Sequence, residues 1–168
     1  MQPVVHTMPL VWLTALATAA LAGGIAWYLA PLSPGVLVLQ FAFTPRAFGE
    51  VIHLWSPEQL PRFRAHLPAD YLLLLSYGLF GYLLARRTQV FQALGAAGRR
   101  WATWALPLAA TFDATENACH WWLTAAPRFA ITWPYLLATG SASAKWLLLL
   151  AFALTLVFAL TRSEHRAH

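Results

Sequence analysis

No Asp, Glu, Lys or Arg occurs before Arg46, and inside that stretch Met8 to Ala30 runs apolar almost without interruption. About 20 apolar residues in helical geometry cross the hydrocarbon of a bilayer, so this run predicts a spanning helix. Trp12, Trp27 and Tyr28 stand near its ends, where an aromatic belt belongs. Such a segment in a water-soluble chain needs a core to hide in. Here 168 residues are 60% hydrophobic and 10% charged, with a mean hydropathy of +0.57, more apolar surface than a small domain can bury. The predicted fold class is all-α: a four-transmembrane-helix bundle forming one integral membrane domain, with short surface helices in the loop after the first crossing.

Taken in order, the predicted crossings lie at about 8–30, 70–87, 101–123 and 142–161. Before the first, residues 1–7 offer only His6 as a cation, which argues for retention of this segment rather than its removal as a signal peptide. Gly23 and Gly24 are candidates for close approach of a neighbouring helix. Pro31 and Pro34-Gly35 end the helix, and Val36 to Phe43 is too short to span. Thr44-Pro45 reads as an N-cap and first helical position, opening a short helix to about Trp55. Ser56 to Gln59 has capping-box spacing, with Gln59 placed to reach the Ser56 amide, while Pro61 argues against a long helix there. Residues 31–69 thus form an outer cap of short pieces. Asp70 in the first turn of the second crossing suits a helix cap. Residues 124–140 read as an interfacial loop, Ser141 or Ser143 as the cap of the fourth crossing, and 162–168 as a disordered polar tail.

The stretch from Trp101 to Leu123 is apolar enough to span yet holds Asp113, Glu116, Asn117 and His120, at i, i+3, i+4 and i+7. On a helix these share one face. An ionisable residue at the bilayer centre costs about 2.5–3.5 kcal/mol on insertion scales, so such a face looks into a bundle or a watery cavity. A helix entering at Trp101 carries Asp113 roughly 18 Å into the membrane, slightly past its middle. Asp70 and Tyr77 on the second crossing and Lys145 on the fourth reach comparable depth. All seven are therefore candidates to gather beneath the cap: Asp113, Glu116 and His120 as catalytic groups, and Asp70, Tyr77, Asn117 and Lys145 as ligand-binding groups.

Two carboxylates three residues apart in a low dielectric do not both ionise readily, which suits one of them to donate or shuttle a proton, and His120 one turn on can relay it. Metal binding is not expected, because Glu-x-x-x-His departs from the Glu-x-x-His of di-iron bundles and no second helix repeats it. No phosphate loop, dinucleotide fingerprint or haem-attachment motif is present, and the sequence leaves any cofactor unknown. The alternative is a structural polar network, in which Lys145 neutralises Glu116 while Asn117 and Tyr77 bond across helices; such contacts contribute only about 0.6–2 kcal/mol each. Trp121 and Trp122 read as belt residues.

The net charge of +5 comes from scattered arginines and a single lysine, which membrane topology explains without nucleic acid. Arg86, Arg87, Arg99 and Arg100 crowd one short connection and mark it as cytoplasmic, so both termini are predicted inside. Cys119 is the one cysteine and has no intramolecular disulfide partner. The excess of arginine over lysine, with abundant alanine and leucine, fits a GC-rich bacterial source and hence a multi-pass place in a bacterial inner membrane.

With Asp70, then Tyr77-Gly78, Pro107 and Asp113-Ala-Thr-Glu116-Asn117, the chain resembles a group of small bacterial four-helix membrane proteins with no assigned activity, over most of residues 8–161. In size and in its long loop after the first helix it also looks like the sterol-isomerase and sigma-2-receptor family in architecture. There, membrane acids face a lipophilic ligand. The expected function is an outward-facing pocket of acids and histidine that binds or protonates a small lipophilic molecule. The alternative is an accessory subunit of a larger respiratory or photosynthetic membrane complex, with larger subunits as partners beside the bilayer. Nine tryptophans and the outward apolar surface of four helices motivate it.

Overall fold

The structure, a computed structural model, describes residues 8–164. Its order is α1 (Met8–Leu29), α2 (Val36–Gln40), α3 (Pro45–Leu54), α4 (Gln59–Arg87), a short 3-10 turn at Gln92–Leu94, α5 (Gly95–Ala125) and α6 (Trp133–Glu164), with no strand among the described residues. Met8–Leu29, Gln59–Arg87 and Trp133–Arg162 are long and apolar enough to cross a membrane. They mark a membrane protein. α5 is as long, with its apolar character diluted by Asp113, Glu116, Asn117 and His120.

The local signals of the cap translate directly into bonds. Thr44 Oγ1 accepts from the Ala47 amide at 3.1 Å, and Pro45 fills the first helical position of α3. The Ser56 amide donates to Gln59 Oε1 at 3.0 Å, closing the capping box. Gln59 Nε2 donates to the Pro31 carbonyl at 2.8 Å, and Trp55 Nε1 to the Pro34 carbonyl at 2.8 Å, so the cap is tied to the end of α1.

Several readings of the helices need correction. Pro61 does not limit a helix: it sits in the first turn of α4, where an amide has no intrahelical acceptor, and α4 continues through Pro68 to Arg87. Asp70 consequently lies well inside α4 and caps nothing. The fourth helix begins at Trp133, where the Thr132 carbonyl accepts from the Leu136 amide, and not at Ser141 or Ser143. Ser143 instead donates to the Thr139 carbonyl at 2.8 Å within α6, and Ser141 is buried. Finally, a Cβ at Gly23 or Gly24 would meet nothing within 4 Å, whereas one at Gly81 would fall 2.6 Å from Leu106 Cβ and one at Gly78 3.2 Å from Ala110 Cβ. The close approach is between α4 and α5. α6 runs through Glu164, past the expected end at Thr161; residues 165–168, with the rest of the expected tail, and residues 1–7 with His6 lie outside the described residues.

α1 packs against α4, α4 against α5 and α5 against α6. Two apolar cores result. One, at the end of α4 that carries Arg86 and Arg87, joins Leu74, Ala85, Phe91, Ala102, Ala105, Leu106, Ala109 and Phe152. The other lies under the cap and joins Leu39, Phe48, Val51, Trp55, Phe63, Leu67, Leu123 and Tyr135. The polar face of α5 falls between them.

Candidate functional site

Antiparallel packing of α4 on α5 sets Asp70 and Tyr77 opposite the turns of α5 nearer the cap. Tyr77 Oη donates to Asp113 Oδ2 at 3.0 Å, and Asn117 Nδ2 donates to Asp70 Oδ2 at 2.6 Å. Tyr71 Oη donates to the Ala114 carbonyl at 3.1 Å between them. The early start of α6 then carries Lys145 three turns into that helix and against the same face.

Lys145 Nζ donates to Asp113 Oδ1 at 2.9 Å and lies 2.6 Å from Glu116 Oε2. The second contact is a close ion pair, and Glu116 Oε1 has no hydrogen-bond partner among the described residues. His120 Nδ1 is 3.7 Å from Glu116 Oε1, too long for a hydrogen bond, and His120 Nε2 has no partner among the described residues. Glu116 is 0% exposed and His120 2%. Leaving a buried polar atom unpaired costs about 1–3 kcal/mol, so Glu116 Oε1 and His120 Nε2 hold bonding capacity that the described residues do not use.

Glu116 and His120 belong to the lining of a cavity of about 650 Å³, their unpaired atoms covered from it by their neighbours. α1 supplies one apolar wall through Ala22, Ile25 and Ala26, α2 closes the cap end with Val36 and Leu37, and Leu73 of α4 and Leu149 of α6 complete the apolar lining. Asp70, Tyr77, Asp113, Glu116, Asn117, His120 and Lys145 all line it, so the structure brings together every residue singled out in the sequence. At the mouth, Trp146 Nε1 of α6 donates to Gln40 Oε1 of α2 at 3.1 Å. α1 is fixed to α4 beside the cavity by a hydrogen bond between Thr18 Oγ1 and Ser76 Oγ at 3.0 Å.

One cavity residue escaped the sequence reading. His66 of α4 is buried, hydrogen-bonds through Nδ1 with the Phe63 carbonyl and stacks edge-on against the Phe63 ring, which also contacts the His120 ring. A carbonyl only accepts, so Nδ1 carries the proton of this bond, and in the neutral ring Nε2 keeps its lone pair. The signal was available: His66 is one turn before Asp70 on the face that continues to Tyr77. It was hidden by starting the helix at Asp70.

Around this site the cap end is held by arginines lying on aromatic faces. Arg64 donates to the Trp121 carbonyl at 3.0 Å and to Thr124 Oγ1 at 2.8 Å with its guanidinium over the Trp121 ring, and Arg128 lies over Trp122. Cys119 is buried and free. No family model, curated protein or solved structure matches the chain.

Proposed function

We propose that the chain is a four-crossing protein of a bacterial inner membrane whose outward-facing cavity binds or protonates a small lipophilic molecule. Four crossings follow from treating α5 as a span whose acids are neutralised inside the bundle by Lys145. Its ends then match those of α4 and α6, against which it packs. Arg86, Arg87, Arg99 and Arg100 at one end of the helices set that end in the cytoplasm, which turns the cap outward and both termini inward.

The observation that carries the ligand reading is a largely apolar cavity of about 650 Å³ whose lining includes Asp113, Glu116, His120 and Lys145. Pockets for small molecules are apolar with a few placed polar groups, and this volume is in their usual range. Asp113 and Glu116 face one ammonium. The trio is neutral when one carboxyl carries a proton, and that proton is the one available to a ligand. His66 and His120 supply ring nitrogens to orient it.

The test is native mass spectrometry of the protein drawn gently from its own membranes, with wild type beside Glu116→Gln and Asp113→Asn. Retention of a defined lipid-like mass by the wild type and its loss in the variants is expected. Equal retention in all three, with unchanged cellular activity, rejects the reading.

A second reading, an accessory subunit of a larger complex, is favoured by α1, in which only Val11 and Thr14 are buried. Stoichiometric co-purification with larger subunits supports it; migration as a lone chain argues against it.

A further inference from the structure

The end of the helices opposite the cap carries a second cavity, of about 270 Å³. It is lined by Arg86 and Arg87 from the last turn of α4, by Thr88, Gln89 and Gln92 from the connection, and by Arg99 from the start of α5. No carboxylate lines it. The three guanidiniums are exposed, and none has an ion pair or hydrogen-bond partner among the described residues. The Thr88 hydroxyl is already used, donating to the Leu84 carbonyl at 2.6 Å and accepting from the Val90 amide at 3.3 Å. What the cavity offers is therefore a set of unspent guanidinium and amide donors.

Its depth is fixed independently. Arg87 lies 17 residues beyond Asp70 on α4, about 25 Å along the axis, and 10 residues beyond Tyr77, about 15 Å from the near edge of the first cavity. One turn nearer the middle, Tyr82 packs edge-on against Trp104 at 5.9 Å, and Trp101 and Trp104 are both exposed. Aromatic side chains gather at the boundary between acyl chains and headgroups. The arginines just beyond them stand at headgroup level. Guanidinium forks match the paired oxygens of a phosphate, and three of them exceed the single charge of one phosphodiester.

We infer that this cavity seats the headgroup of an anionic phospholipid, its phosphodiester oxygens held by Arg86, Arg87 and Arg99, with a preference for a lipid bearing two phosphodiesters. Basic pockets between membrane helices are suited to such headgroups, and each arginine near the surface contributes about fivefold in affinity. The site is separate from the ligand cavity and stands whether or not that cavity is occupied.

The experiment is native mass spectrometry of the full chain in mild detergent, titrated with diphosphatidylglycerol, phosphatidylglycerol, phosphatidylcholine and inorganic phosphate. Retention is expected to fall in that order, and Arg86→Gln with Arg99→Gln is expected to weaken diphosphatidylglycerol about 25-fold. The paired control Arg46→Gln with Arg128→Gln, equally basic but at the cap end, is expected to stay within twofold. An unchanged affinity in the first pair, an equal loss in the control, or phosphatidylcholine held as well as diphosphatidylglycerol overturns the inference. Inorganic phosphate displacing the lipid at equal concentration also overturns it, because the occupant is then a free anion. Arg86→Lys with Arg99→Lys keeps the charge and removes the fork. If the glutamine pair fails to fold, the lysine pair reads the same affinity, and a loss below twofold there rejects the guanidinium seat.

Discussion

The same two helices, α4 and α5, meet in opposite ways at their two ends. Towards the arginine end Gly78 and Gly81 let Leu106 and Ala110 close against the α4 backbone, and Ala102, Ala105 and Ala109 are buried without a gap. Towards the cap the helices are joined by Tyr77–Asp113 and Asp70–Asn117 hydrogen bonds, and space is left open beside them. Dispersion needs contact and forbids voids, whereas a few directional bonds hold a spacing with room next to it. The tight half acts as the fixed end that lets the other half stay apart. Polar groups in a membrane need not be the main adhesive; here they line a space that the small residues of the other half make sustainable.

The largest predicted effect removes the shared cation. Lys145→Met leaves Asp113 and Glu116 facing each other in a buried site and is expected to destabilise the fold by about 3–5 kcal/mol, measured by unfolding in mixed micelles with rising SDS. Adding Asp113→Asn and Glu116→Gln to Lys145→Met is expected to restore at least half of that loss. If the triple variant is as weak as Lys145→Met, volume and not charge governs the open half.

Next comes the tight half. Gly81→Val drives a branched side chain into Leu106, where a Cβ alone already falls 2.6 Å from its neighbour, and overpacking of this kind costs about 1–3 kcal/mol. Gly24→Val, with nothing within 4 Å, is the matched control and is expected to stay within about 0.5 kcal/mol. Equal effects at the two positions dissolve the contrast between the halves. Tyr77→Phe removes one hydrogen bond to Asp113 while keeping the ring, with an expected loss of about 0.6–1.7 kcal/mol by the same titration. The smallest effect is expected from Trp146→Phe, which deletes the bond to Gln40 at the cavity mouth. Stability should change by no more than about 0.5 kcal/mol, while any retained lipophile should exchange faster in a wash-out measurement.

How far the sequence could be read follows the same division. The polar face of α5 was legible because helical spacing alone puts Asp113, Glu116, Asn117 and His120 together, and depth counting brought Asp70, Tyr77 and Lys145 to their level. Thr44 and Gln59 were legible because a cap involves only neighbours in sequence. The boundary at Pro61 was not, nor was the start of α6, whose second residue is Pro134, because a proline in a first helical turn looks like a breaker until the helix is seen to continue beyond it. Misplacing that start hid His66. Glycine was read by its presence in a pair at 23–24, whereas what matters is a facing backbone, and only the α4–α5 packing reveals that at Gly78 and Gly81. The cavity was the least legible feature, since empty space is set by how helices splay and no residue encodes it alone.

The sharing of Lys145 between two acids of α5 also bears on how the chain is made. On the four-crossing reading, α5 leaves the ribosome before α6, carrying two carboxylates whose partition into lipid costs about 2.5–3.5 kcal/mol each on insertion scales. Their counter-ion is synthesised later, beyond the connection 126–132. α5 is then a poor stop for the insertion machinery by itself and is released into the bilayer only once Lys145 has left the ribosome and reached the membrane, so the two helices enter as a hairpin. A nascent chain that holds Lys145 inside the exit tunnel should leave α5 accessible from the aqueous side, and one lengthened until Lys145 reaches the membrane should seal it in.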